Sequence, residues 1–224
     1  MKRYFYSHHT KLENLIYIKK KLKTFEKINN IRKFEDYYKK SIDDIYRSIG
    51  KYGMKFFDDK VLKLLKYYYP NKKIYFWLFK GAPKNSWIIK KNRIAYIHWL
   101  EKQLKLKKLE DWYKVNKRKE FKKYNAITLL GPQKGYSTTI LDLLKEAYPK
   151  FKWKFWLFHK VGVSLWQNRK NQKEFLDWVL KEESLSVHDD SIYKLTFKIL
   201  KKYKAVTLQT LYGTNTDFLM AHYP

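Results

Sequence analysis

Apolar residues recur along this chain at helical spacing, in stretches separated by short polar or aromatic connectors. Val61, Leu64, Leu65 and Tyr69 fall at i, i+3, i+4 and i+8, and Ile140, Leu143, Leu144 and Tyr148 do the same. That spacing puts each set on one face and predicts two amphipathic helices. Pro70 and Pro149 follow directly, where a residue without an N–H stops a helix. Asp58 and Ser137 stand where N-caps are expected. A second helix is predicted from near Asn92 or Asn171, burying Ile94, Ile97, Leu100 and Leu104 in one stretch and Phe175, Leu176 and Val179 in the other. A third covers residues 116–123 and 196–202. Between the first and second helices lie residues 72–79 and 151–158, and in the second copy aromatic and Lys residues alternate as suits an extended segment.

These stretches are one pattern written twice. Residues 61–104 align with 140–183 without a gap at a shift of 79. Phe76-Trp77-Leu78-Phe79 then matches Phe155-Trp156-Leu157-Phe158, Trp87 matches Trp166, Asn92 matches Asn171 and Trp99 matches Trp178. Glu35-Asp36-Tyr37-Tyr38, Glu110-Asp111-Trp112-Tyr113 and Asp189-Asp190-Ser191-Ile192-Tyr193 read as three versions of one element. The expected fold is mainly α: tandem helical repeats of about 79 residues with extended aromatic connectors, stacked as a short array. Residues 1–34 would be a basic N-terminal arm and helix, 35–109 and 110–188 two full repeats, and 189–224 a truncated third. All eight Trp fall in the full repeats, as core anchors of a repeated unit would.

The Leu-Leu, Tyr-Pro, Trp-Leu-Phe, Trp, Asn, Trp-Leu and Glu-Asp-Trp-Tyr series resembles the tandem Trp-rich repeats found in largely uncharacterised proteins of fungi, algae and large DNA viruses. The resemblance spans about three quarters of the chain and implies a repeat array without implying a reaction. Two copies depart from it: Tyr37 replaces the Trp in the first, and Ser191 or Ile192 in the third.

Charge adds a partner to this picture. Fifty Lys and Arg face 21 Asp and Glu, a net charge of +29, and a compact chain so charged repels itself unless a polyanion lies against it. Lys, Tyr, Phe, Ile and Asn have AT-rich codons, and an AT-rich genome would inflate them, and with them the charge, without selection. Trp, with a GC-containing codon, resists that account. Arg occurs only at positions 3, 32, 47, 93, 118 and 169, so bidentate forks are few and backbone contact outweighs base reading. The candidate nucleic-acid-binding residues are Lys19, Lys20 and Lys21; Lys90, Lys91 and Arg93; Lys105, Lys107 and Lys108; Lys117, Arg118 and Lys119; Lys122 and Lys123; Lys134; Arg169 and Lys170; and Lys201 and Lys202. Lys90-Lys91 recurs as Arg169-Lys170 and Lys122-Lys123 as Lys201-Lys202, which stacked repeats would line into a stripe for a phosphate backbone. Tyr68, Tyr75, Tyr136 and Tyr212 are candidates to stack on unpaired bases, most of them expected to prove core.

Other chemistry is thin. The chain has no Cys, and His8, His9, His98, His159, His188 and His222 form no metal-ligand spacing, so no metal or cofactor is expected. The stretch from Gly131 to Thr138 has the glycines and hydroxyls of a phosphate loop but not its Gly-Lys-Ser/Thr junction. It is expected to be the repeat's ordinary loop, like residues 52–56, with backbone N–H groups and Lys134 able to hold one phosphate at a helix start. Asp58-Asp59 and His188-Asp189-Asp190 are expected to serve as caps or turns. No apolar run reaches membrane-spanning length. The N-terminus carries no acid before Glu13, as in an organellar transit segment or a basic arm. The expected function is a non-enzymatic RNA-binding structural protein of a large ribonucleoprotein, such as a mitochondrial ribosome, in company with other proteins of that assembly. A DNA-binding or DNA-packaging protein and an unrecognised nuclease are the alternatives.

Overall fold

The structure, a computed structural model, describes residues 10–81, 83, 85–133, 136–158 and 161–223. It is mainly helical, and the described residues divide into two compact units. One gathers those of Met1–Ile97 and Lys117–Thr139, the other those of His98–Asn116 and Ile140–Pro224.

The first unit opens with α1 (Lys11–Ile28), where Thr10 and Glu13 cap each other: Glu13 N donates to Thr10 Oγ1 at 3.2 Å, and Thr10 N to the Glu13 carboxylate at 2.5 Å. The buried Asn14, Ile18, Leu22, Phe25 and Glu26 lie along one face. A 3-10 turn (Phe34–Lys39) leads into α2 (Ile42–Ile49), α3 (Lys51–Lys55) and α4 (Val61–Tyr68). Ile18, Leu22, Tyr37, Ile45, Met54, Leu64, Leu65 and Phe79 meet in one core. α3 corrects the expectation of a loop over residues 52–56. Gly53 permits it, because a Cβ there would stand 2.9 Å from Ile49 Cγ2 and 3.1 Å from Ile18 Cγ1. Glu26 closes this core with its carboxylate, which accepts from Tyr37 Oη at 2.6 Å, from Lys23 Nζ at 2.7 Å and from Tyr69 Oη.

Two further 3-10 turns (Phe76–Leu78 and Ser86–Ile88) precede α5 (Lys90–Gln103), and a third (Leu109–Lys114) precedes α6 (Lys117–Lys123). After a turn over Ile127–Leu129, β1 (Gly131–Gln133) pairs antiparallel with β2 (Tyr136–Thr138), Gly131 opposite Thr138. Then follow α7 (Ile140–Ala147), a turn at Phe155–Leu157, α8 (Val163–Gln167), α9 (Arg169–Glu182), a turn at Asp190–Lys194, α10 (Phe197–Lys202), α11 (Val206–Tyr212) and α12 (Asn215–Met220).

Two further expectations need correction. The aromatic connectors are extended only at their flanks, as at Tyr75 and Phe79, and wind into 3-10 turns at Phe76–Leu78 and Phe155–Leu157. The turn swings consecutive aromatics inward together, which a strand's alternation prevents. Neither expected N-cap serves as one. Asp58 sits at φ 50° and pairs with Lys63, while Lys60 precedes α4. Ser137 lies within β2, three residues before α7 starts. Asp59 accepts from Tyr46 Oη at 2.8 Å, and Asp189 accepts from Ser191 N at 2.8 Å, as turn and cap residues do.

Aligned stretches build matching clusters within each unit. In the first, Phe76 and Trp87 lie 4.8 Å apart, and Tyr96 lies 5.4 Å from Trp87 and 5.6 Å from Trp77. In the second, Phe155 and Trp166 lie 4.8 Å apart, and Phe175 lies 4.9 Å from Trp166 and 5.5 Å from Trp156. The predicted helical core residues Ile97, Leu100, Phe175, Leu176 and Val179 are fully buried, with Ile94 and Leu104 partly so. Helix ends match too. Asn30, Lys105 and Ser184 close their helices at positive φ, as do Asn125 and Lys204, each followed by an N–H that reaches back to the carbonyl five residues earlier.

Candidate nucleic-acid interface

The candidate cations occupy helix surfaces and turns. Lys19, Lys20 and Lys21 lie on α1 away from its buried face and are exposed. Lys90 and Lys91 form the first turn of α5, and Arg169 and Lys170 that of α9, all four exposed. Four positive charges at two helix N-termini oppose the helix dipole, an arrangement an approaching anion relieves. Lys105, Lys107 and Lys108 lead into the Leu109–Lys114 turn. Arg118, Lys119, Lys122 and Lys123 are exposed on α6, the last two in its final turn, where the dipole favours them. Lys201 and Lys202 close α10 in the same way. Lys134 lies outside the described residues, as do His8, His9 and His159.

Local contacts change the standing of several candidates. Arg93 is turned inward and only 8% exposed, its Nη1 donating to Trp87 O at 2.9 Å and Ile88 O at 2.7 Å. It belongs to the packing between α5 and the preceding turn, a correction to its place among the binding residues. The aligned Gln172 does the same work, its Nε2 donating to Trp166 O at 2.6 Å. Asn92 and Asn171 likewise donate from Nδ2 to Ser86 O at 2.8 Å and to Leu165 O at 2.9 Å. Lys202 is held by Glu183 at 2.7 Å, and the bonds to Glu183 and Tyr203 raise its pKa. Lys117 is partly buried, which lowers its pKa. Lys123 lies over the Tyr124 ring at 4.9 Å and Lys202 over Tyr203 at 5.1 Å, so each presents its charge beside an aromatic face.

Three candidate stacking tyrosines are tied into the fold. Tyr68 Oη donates to Leu15 O at 2.7 Å, Tyr212 Oη to Gln172 Oε1 at 2.6 Å, and Tyr75 packs 5.2 Å from Trp77. No side-chain description extends to Tyr136. In the phosphate-loop candidate, Gly131–Gln133 and Tyr136–Thr138 pair as antiparallel strands, so Gly131 does not stand at a helix start, and Gly135 lies outside the described residues.

The second unit also places together residues far apart in sequence. An open cleft of about 560 Å³ is lined by Lys108 and Lys114 from one turn and Lys204 from another, over Tyr113 and Leu157. Lys114 and Lys204 lie outside every Lys run. The one sequence signal was Lys204 at a left-handed position whose aligned counterpart is Asn125, a residue that tolerates this conformation better. In the first unit, a cleft of about 470 Å³ has Lys11, Lys63 and Lys66 near Phe56 and Tyr67, but Lys63 is paired with Asp58 and Lys66 donates to Pro70 O at 2.6 Å.

Among the described residues, no group of three or more His, Asp or Glu is placed to hold a metal, and no helix is long and apolar enough to cross a membrane. No protein-family model, curated protein or solved structure matches the chain significantly. Fold and surface together define a mainly helical, strongly basic protein with a dense aromatic interior.

Proposed function

We propose that this chain is a non-enzymatic RNA-binding structural protein, a component of a large ribonucleoprotein such as a mitochondrial ribosome, assembled with other proteins there. The observation that carries the reading is the solvent-facing display of Lys19 to Lys21, Lys90, Lys91, Lys122, Arg169, Lys170 and Lys201, none ion-paired with a described carboxylate, on a chain of net charge +29. Such a surface attracts a polyanion by releasing its condensed counterions. Lys in place of Arg favours phosphate contact over base reading. The same reading takes the fold as a short array of tandem repeats, supported by the paired helix-start bonds of Asn92 with Asn171 and Arg93 with Gln172.

The test is binding of the full chain to a structured RNA and to a DNA duplex of equal length across a salt series. Log affinity against log salt should fall with a slope on the order of −4 or steeper, with RNA bound more tightly. Salt-independent affinity overturns electrostatic binding. Preference for duplex DNA replaces the RNA reading with a packaging one, and metal-dependent cleavage of either ligand overturns the non-enzymatic reading.

A further inference from the structure

The cleft of the second unit differs in kind from the Lys clusters, because it sets three lysines, in excess over the two carboxylates of Glu110 and Asp111, beside the apolar surface of Tyr113 and Leu157. Lys108, Lys114 and Lys204 reach it from the Leu109–Lys114 turn and from the bend between α10 and α11. None of the three forms an ion pair with a described residue. Asp111 also lines the cleft; its Oδ2 accepts from Lys107 N at 3.0 Å and Lys108 N at 3.2 Å, and these bonds, with the charges of Lys108 and Lys114, hold its pKa below the usual carboxylate range. The floor is Leu157 and the face of Tyr113, whose ring is set by Phe158 at 4.9 Å and whose hydroxyl accepts from Lys154 N at 2.9 Å. Glu110, at the edge, makes no hydrogen bond with a described residue and is free to accept.

Residues aligned with these in the first unit lack the same offer. Lys39, opposite Lys114, is paired with Asp36 at 2.9 Å; Glu35, opposite Glu110, faces Lys72 at 3.6 Å; and Asn125 stands where Lys204 is. Lys204 holds a left-handed backbone that costs a lysine roughly 1 kcal/mol, and its charge enters the cleft.

We propose that this cleft is a subsite for one unpaired ribonucleotide, its phosphate held by Lys108, Lys114 and Lys204, its base or sugar laid on Tyr113 and Leu157, and its ribose hydroxyl donating to Glu110. A volume of about 560 Å³ is the size of a small-molecule site. Point-charge lysines suit a phosphate, an apolar floor suits a base, and a carboxylate acceptor suits the 2′-hydroxyl that separates RNA from DNA. The choice of ligand rests on the nucleic-acid reading above; the cleft itself does not.

The experiment compares the intact chain with a cleft variant (Lys108→Gln, Lys114→Gln, Lys204→Asn) and a control of equal charge loss at exposed lysines outside the proposed binding surface (Lys27→Gln, Lys51→Gln, Lys55→Gln). Thermal unfolding verifies that both fold. The single variant Lys114→Glu, at an exposed turn position, repeats the test with least disturbance. Probes are adenosine monophosphate, inorganic phosphate, a single-stranded hexaribonucleotide, its deoxy counterpart and an RNA duplex. The cleft variant should lose roughly tenfold for the hexaribonucleotide and the mononucleotide, the control less than about threefold, and both equally little for the duplex. Glu110→Gln should narrow the difference between ribo and deoxy strands. Equal losses in cleft and control variants, or phosphate binding as tightly as the mononucleotide, overturn the subsite. Binding of the mononucleotide in the cleft without affinity for long RNA leaves the subsite standing and removes the parent reading. Long-RNA binding without cleft dependence does the reverse.

Discussion

At the scale of single residues, Arg93 and Gln172 show how a charge can be recruited to packing. Each sits one residue past the Asn aligned at its helix start and donates to the carbonyl of the Trp six residues back. Arg93→Ala leaves those carbonyls without their donor and should cost about 1–3 kcal/mol, whereas Arg93→Gln should recover most of it. RNA affinity per folded molecule should be unchanged in both, checked by denaturant titration beside a binding curve. Glu26 carries a pH dependence. Burial pushes its pKa up, but the bonds from Lys23, Tyr37 and Tyr69 outweigh it, and the net direction is down. Asp36 goes the same way, to about 2, through Lys39 and the Lys33 and Arg32 N–H groups. A carboxylate with a depressed folded pKa stabilises above its unfolded pKa and loses that contribution as pH falls through the folded one. Stability should therefore hold at neutral pH and decline below about 4. Tyr37→Phe removes a donor to the buried Glu26 carboxylate, costing about 1.5–3 kcal/mol, and should move the acid-unfolding midpoint upward. An unmoved midpoint would show that Glu26 gains nothing from that bond.

At the scale of elements, the aromatic clusters under α5 and α9 carry the fold. Trp112 and Trp166 are each 1% exposed, and Trp166 lies between Phe155 and Phe175. Ala at either position should destabilise by about 3–5 kcal/mol, read as a drop in unfolding free energy. Trp178, expected from sequence to be a core anchor, is only half-buried, with Lys154 Nζ 5.3 Å from its ring centre and Tyr203 at 5.0 Å. Trp178→Ala should cost less than Trp166→Ala, in proportion to the smaller area withdrawn from water. A larger cost at Trp178 would reverse that ranking. In the third Asp-Trp-Tyr-like turn, Asp190–Lys194, no residue is fully buried, and Ser191 and Ile192 are only partly so. Ser191 Oγ there accepts from Ser186 N at 2.8 Å, where the Leu109–Lys114 turn has Asp111 accepting from Lys107 N, so the turn forms without a Trp.

At the scale of the whole molecule, a net charge of +29 makes the compact chain repel itself, and the proposed RNA partner would relieve that repulsion. Under the repeat-array reading, Lys90 with Lys91 and Arg169 with Lys170 act on one extended RNA, and the second contact becomes intramolecular once the first is made. Neutralising either pair should weaken binding to a long RNA modestly, and neutralising both should cost more than either alone. A short oligonucleotide should barely distinguish the variants. A double variant no weaker than a single one would confine binding to one of the two sites.

What the sequence determined by itself was local. The 3.6-residue spacing of apolar positions marked α4, α5, α7 and α9, because a helix must put its apolar residues on one face to bury them. The stops at Tyr69-Pro70 and Tyr148-Pro149 and the start of α10 at Thr196 were equally legible, since proline and capping chemistry act within a few residues. Tertiary structure decided the rest. Residues 52–54 and 131–133 align in sequence, yet the first lie in α3 and the second in β1, and at Gly53 a Cβ would stand only 3.1 Å from Ile18 of α1, a tertiary contact the sequence does not record. Arg93 reads as one more cation in a basic run until the Trp87 carbonyl claims it. Lys108, Lys114 and Lys204 share a cleft across 96 residues of chain, and no periodicity records that meeting. Which charges face a ligand depends on where distant turns are packed, and packing is a property of the folded chain alone.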